Sequence, residues 1–354
     1  MTSNFYIPPT QEEIERKKAD KKTMSACFSR CGWGVLALIG TTLAISFGLS
    51  FVMIILELLK EYGVLTFDIM PIFNKYLLYI NEVLIAAAVG IGALVIMKMP
   101  KETPEKKNVS VRSFLLMLCV CCTIATVGSF IGNMWVNFWS LPFGGAGEDT
   151  LSAALMSTDY LQIIICTGIL APIIEEFFFR KLLIDRMYKY GETMTIFVTA
   201  LLFGLFHQNF SQFFYTFGIG LVLGYLYCRT GSYIYVTLLH MVFNLFLGVI
   251  PAIVSMEIMP VLEVLELGDL NALLPLLGQY AVPLIIFAVY MLLRGALSLI
   301  GLIFSILKFK KIELRKREPA LSTEDQLYAA FANPGMITVC ALLCIILMFS
   351  LIPI

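Results

Sequence analysis

The chain alternates long apolar runs with short polar connections. Runs of about 17 to 25 apolar residues are the length that carries a helix across the hydrocarbon core of a bilayer. They predict spans from Trp33 to about Leu59 and at about 76–98, 113–138, 160–188, 191–208, 211–228, 232–250, 281–307 and 336–354. The first run is longer than the roughly 7 to 15 apolar residues of a cleavable signal, so it is expected to stay as a helix. The predicted fold is all-α, a polytopic membrane helix bundle of about eight to nine transmembrane helices. Its layout is an N-terminal segment 1–32, a membrane domain 33–307 with a core at 155–250, a connector 308–335 and a terminal span 336–354. Segment 251–280, interrupted by Pro251, Pro260 and Pro275, reads as a broken amphipathic stretch at the outer surface or partly re-entrant. No internal repeat marks two transporter halves.

The polar connections orient this bundle, because Lys and Arg collect on the cytoplasmic side. Basic residues cluster at 16–30, at Lys98, Lys101, Lys106, Lys107 and Arg112, at Arg186 and Lys189, at Arg229, and from Lys308 to Arg317. The alternate connections carry acids: Glu148 and Asp149 in 138–159, and Glu257, Glu263, Glu266 and Asp269 in 251–280. The expectation is a multi-pass cell-membrane protein with a cytoplasmic N-terminus. Composition agrees, at 59% hydrophobic and 14% charged, with mean hydropathy +0.87. A formal net charge of zero gives no reason to expect a nucleic-acid partner; the partners expected are the lipid bilayer and a membrane-associated peptide or protein. Of the nine cysteines, Cys119, Cys121 and Cys122 sit inside an apolar run, where thiols pack as small hydrophobes rather than as a disulfide framework.

One stretch breaks the apolar pattern: Ile173-Ile174-Glu175-Glu176-Phe177-Phe178-Phe179-Arg180. A charge at the centre of a span costs about 2.5 to 3.5 kcal/mol even on the lenient insertion scale, so three together require partners or a wet cavity. Glu176 and Arg180, four apart with the acid first, are placed to pair. Glu175 lies about 100° around the helix from Glu176 and is free to face a cavity. The chain's two histidines also fall in apolar runs, His207 in Phe203-Gly204-Leu205-Phe206-His207 and His240 one helical turn before Asn244. Singly, each can be interhelical hydrogen-bonding glue; together, in neighbouring spans with a double Glu, they point to one shared site. At about 1.5 Å per residue from the turn near Lys189 to Gly191, Glu175 lies roughly 21 Å and His207 roughly 24 Å inward. His240, measured from Gly231, lies only roughly 14 Å in, so it needs tilt, a local break or water to join them.

These three elements resemble the motifs of the membrane-embedded CAAX-processing and bacteriocin-processing (CPBP or Abi) endopeptidases: EExxxR as Glu175, Glu176 and Arg180, FxxxH as Phe203 and His207, HxxxN as His240 and Asn244. The resemblance covers about 155–250. It implies an intramembrane glutamic endopeptidase of the type II CAAX prenyl endopeptidase kind, in which Glu175 and His207 activate water and His240 and Asn244 stabilise the oxyanion. Arg180 and Glu176 would then hold the helix face, beside Phe203. It implies no cofactor; a zinc ion held by Glu and two His is the second choice, although no HExxH is present. A non-catalytic self-immunity or peptide-binding protein is the alternative, and whether the substrate is prenylated or a peptide precursor stays open. The motifs assign no role to Arg294, a further charge within an apolar run.

Overall fold

The computed structural model describes residues 10–143, 159–308, 312–315 and 321–352; Glu148, Asp149, Lys310, Lys311, Lys316 and Arg317 lie outside them. Every regular element among the described residues is a helix. In chain order they are α1 (Gln11–Glu61), α2 (Met70–Ile96), α3 (Val111–Ser140) and α4 (Tyr160–Tyr190). There follow α5 (Glu192–Phe206), α6 (Phe210–Thr230), α7 (Tyr233–Glu266), α8 (Leu270–Gln279), α9 (Ala281–Lys308), α10 (Thr323–Phe331) and α11 (Pro334–Phe349).

The polytopic helical membrane bundle is therefore present. Its count is six helices long and apolar enough to span, α1, α2, α3, α4, α7 and α9, or up to seven if α10 and α11, bent by 72°, form one. The expected eight to nine is not confirmed. The run at 191–208 folds as α5, with 15 residues, which reach roughly 22 Å against a hydrocarbon core of about 30 Å. The run at 211–228 becomes α6, whose Ser211, Gln212, Thr216 and Arg229 dilute its apolar character.

Two further boundaries differ from the periodicity reading. α1 passes without a break through residues 32 and 33, started by a reciprocal Thr10–Glu13 capping box. Its first half is held by a 2.7 Å Lys21–Asp325 ion pair to α10, and the Gly335 N–H of α11 donates to Ser29 Oγ. The prolines at 251 and 260 do not stop α7. A π-helical segment, Leu245–Val249, immediately precedes Pro251, and a widened turn absorbs both the missing N–H and the ring's clash with the carbonyl four residues back. The same device recurs in α4, where the π segment Ile163–Leu170 precedes Pro172.

Two apolar clusters flank α4. One gathers α1, α2, α5, α10 and α11 around Phe178, Phe179, Leu183 and Met187. The other gathers α3, α6 and α7 around Ile184. Polar clamps fix the end of α4 that leads to Gly191. Arg186, 5% exposed, donates to the carbonyls of Ile96 and Met97 at the end of α2, where a helix terminus leaves acceptors unpaired and favours a cation. Tyr227 donates to Asp185 at 2.7 Å, which also pairs with Lys181 at 3.0 Å. Gly231 turns the chain from α6 into α7 at φ +57°. A Cβ there would lie 2.3 Å from the Pro104 carbonyl, so both conformation and space require glycine.

Candidate active site

Glu175 and Glu176 stand on α4 in the α-helical turn Ala171–Glu176, between the π segments Ile163–Leu170 and Phe177–Ile184. A π segment fits more residues into each turn and advances less per residue than an α-helix. The residues from 177 to 184 thus set the acids shallower than an ideal helix would, towards the level of His240.

The two acids divide as their helical angle predicts, with one addition. Glu176 and Arg180 are fully buried and pair at 3.0 Å between Oε2 and Nε. The other oxygen of Glu176, Oε1, lies 2.8 Å from His240 Nδ1. The second acid is thus shared between the arginine of its own motif and the histidine of the third, a contact that spacing could not show because it crosses from α4 to α7. Glu175 is less buried, and its Oε2 lies 3.8 Å from His240 Nε2.

Phe203 joins the motifs physically. The Arg180 guanidinium sits 4.6 Å from the centre of its ring, a cation–π distance. The rings of His207 and His240 meet it edge-on at 4.9 and 5.9 Å. The shelf matters because Nε, Nη1 and Nη2 of Arg180 are all buried without a hydrogen-bond partner, leaving the ion pair and this ring as what offsets the buried charge. The first residue of FxxxH is therefore a support for Arg180 as well as a spacer for His207. Gly204 follows it where a Cβ would lie 3.0 to 3.2 Å from Phe217, so the glycine lets α5 and α6 approach closely beside the site.

His207 closes α5 and contacts the Phe203 carbonyl through Nδ1 at 2.9 Å. With Nδ1–H donating there, Nε2 is left as the acceptor. Gln208 follows at φ +54°, the one non-glycine positive φ among the described residues, and strain of this kind gathers at functional sites. Asn209 then caps α6 by accepting from Ser211. Glu175 and His240 both act electrostatically on His207, with no direct Glu175–His207 hydrogen bond or ion pair among the described residues. Asn244 donates from Nδ2 to the Thr167 carbonyl at 2.9 Å, and Tyr233 donates to that of Ile173 at 2.7 Å. Both bonds moor α7 against α4, and Tyr233 was not singled out from the sequence.

Residues 157–246 match the family model Type II CAAX prenyl endopeptidase Rce1-like. This segment is an Rce1-like domain. It contains all three motifs and ends two residues beyond Asn244, so the match and the contacts delimit the same region. The family is one of proteases. No curated protein and no solved structure gives a significant match to the chain. Around the Rce1-like domain no three His, Cys, Asp or Glu side chains come together as metal ligands among the described residues. One acid outside this domain escaped the motif reading: Glu82 of α2, 9% exposed, within an apolar run and with its Oε2 buried without a hydrogen-bond partner. The rule that singled out the double Glu applies to it equally.

Proposed function

We propose that this protein is an intramembrane glutamic endopeptidase that hydrolyses peptide bonds of membrane-associated peptides without a metal. Water adds to the scissile carbonyl carbon, the C–N bond breaks, and a proton taken from the water ends on the leaving amine. Glu175 and His207 Nε2 are the two acceptors available to hold and deprotonate that water. Asn244 spends one amide N–H on Thr167 and keeps the second for the developing oxyanion. His240 donates from Nδ1 to Glu176; in its doubly protonated form Nε2 donates as well and can reach the same oxyanion. Glu176, Arg180 and Phe203 position the imidazoles and do not touch the reacting atoms. The observation that carries this reading is the contact of all three motifs across α4, α5 and α7, made by His240 on Glu176 and by Phe203 on Arg180, His207 and His240.

The family's name makes a prenylated CAAX-type C-terminus the first substrate to try. The alternation of basic connections supports a cytoplasmic N-terminus. The test is cleavage of quenched fluorescent peptides, prenylated and not, by purified protein in micelles. Glu175→Gln and His207→Ala are each expected to lower kcat/KM by about 10²- to 10⁴-fold while inserting normally. A Glu175→Gln protein that keeps its function would replace this reading with that of a binding or self-immunity protein.

A further inference from the structure

Between its ends α9 carries a single charge, Arg294. It stands 13 residues from Ala281 and 14 from Lys308, so either end of the helix is about 20 Å away. Snorkelling to the membrane surface serves Lys and Arg near helix ends, and an arginine this deep needs a partner within the membrane. Its guanidinium stays charged there.

Residues four apart share a helix face, which puts Tyr290, Arg294 and Ser298 in one row. Contacts fix both flanking members. The Tyr290 ring lies 5.5 Å from that of Phe246 on α7. The Ser298 carbonyl accepts from Thr123 of α3 at 2.6 Å, and the Ser298 hydroxyl is 3.0 Å from that of Thr126. The row therefore looks into the seam between α3 and α7, with Tyr290 5% exposed, Ser298 9% exposed and Arg294 half-buried between them.

The seam supplies no anion for this charge. α9 packs against α3, α7 and α8, and neither α3, α8 nor α9 contains an Asp or Glu. The acids of α7 begin at Glu257, which lies roughly 16 Å along the helix from Phe246 and already accepts from Tyr160. Arg294 forms no ion pair among the described residues. The Tyr290 hydroxyl is buried without a hydrogen-bond partner; Arg294 acts on it electrostatically but brings only further donors. A guanidinium and a phenol one turn apart, both short of an acceptor, suit a carboxylate. Depth and sequence limit where that carboxylate comes from. Lipid phosphates lie at the membrane surface, about 20 Å from Arg294. A second copy of the chain offers no exposed acid at this level, because its mid-span acids are Glu82, 9% exposed, and Glu175 and Glu176, whose side chains are 16% and 0% exposed.

We propose that Tyr290 and Arg294 form a docking site for a membrane-spanning helix of another protein, one that carries an Asp or Glu near its middle. Val289 and Leu293, both exposed on α9, supply apolar contact beside the pair. Phe246 is roughly 200° around α7 from Asn244, so this seam lies across α7 from the catalytic candidates, and the proposal does not rest on the proposed hydrolysis.

The test uses full-length protein, labelled at its N-terminus, in neutral-lipid bicelles with a fluorescent Leu-rich transmembrane peptide of about 20 residues. One peptide carries a central Asp, a second a central Asn and a third only Leu. Energy transfer should show the Asp peptide binding about 10- to 150-fold more tightly than the Leu peptide, the range of a hydrogen bond to a charged group. Arg294→Leu should bring the Asp peptide to the Leu level, Arg294→Lys should keep part of the preference, and Tyr290→Phe should lose less of it than Arg294→Leu. The comparison of Asp and Leu peptides needs wild-type protein alone, so it decides the matter even where a variant fails to fold. Equal binding of those two peptides overturns the proposal. So does an Asp preference that survives Arg294→Leu, or an Asn peptide that binds as tightly as the Asp one, which is what uncharged interhelical glue gives. Loss of the preference on adding anionic lipid would give the cation to headgroups, and energy transfer between two labelled copies that Arg294→Leu abolishes would give the face to self-association; either result replaces the proposal.

Discussion

The Glu176–Arg180 pair offers the sharpest test of how the site is held. Both side chains are completely buried, and the guanidinium nitrogens have no hydrogen-bond partner to fall back on. Glu176→Gln keeps the size of the side chain and leaves Arg180 as a buried charge whose remaining support is the Phe203 ring. Removing one member of a buried pair costs about 3 to 5 kcal/mol. Arg180→Met leaves Glu176 with the His240 contact alone and falls in the same range, whereas the double variant removes both charges and has no orphan. The double variant should therefore be little worse than either single one, a coupling of about 3 kcal/mol, at the upper end for residues in contact. Unfolding by SDS titration of the four proteins in mixed micelles measures this cycle. Activity supplies a second reading. Glu176→Gln also weakens the bond that orients His240, and a hydrogen bond to a charged group is worth about 1.5 to 3 kcal/mol, which corresponds to a loss of roughly 10- to 150-fold in kcat. Additive unfolding energies would show that the two residues do not act as one unit.

Other expected outcomes follow from single contacts. Phe203→Leu removes the aromatic face under Arg180 and the edge contacts to both histidines; it should destabilise by about 0.5 to 2 kcal/mol beyond its lost apolar area and lower kcat more than it raises KM, and a variant with normal kcat would deny Phe203 its supporting role. Dialysis against a strong chelator should leave activity unchanged and elemental analysis should find far less than one zinc per chain; stoichiometric zinc, lost and regained together with activity, would give the chemistry to a metal. Gly231→Ala combines a left-handed backbone with a Cβ 2.3 Å from the Pro104 carbonyl; a loss of about 1 to 3 kcal/mol is expected, readable as a lower thermal midpoint, and an unchanged midpoint would mean that segment 104–105 yields freely.

The amphipathic logic of a bilayer made the helical fold and the outline of the site legible in the residues themselves. A charge in an apolar run has to be explained, and helical spacing makes partners of residues four apart, so Glu175, Glu176, Arg180, His207, His240 and Asn244 stood out, and the Glu176–Arg180 pair is where spacing put it. Spacing has no access to what lies across a helix interface. The bond from His240 to Glu176 and the Phe203 ring beneath Arg180 depend on how α4, α5 and α7 pack. The number of full-length spans was equally out of reach, because hydropathy cannot tell a complete crossing from a 15-residue helix ending at the turn that carries His207. Nor does an apolar run announce a π turn. Its wider hydrogen bonding becomes the better choice only when a proline or a tight neighbour disfavours the α-helical bond, and those widened turns set the level of the acids relative to His240.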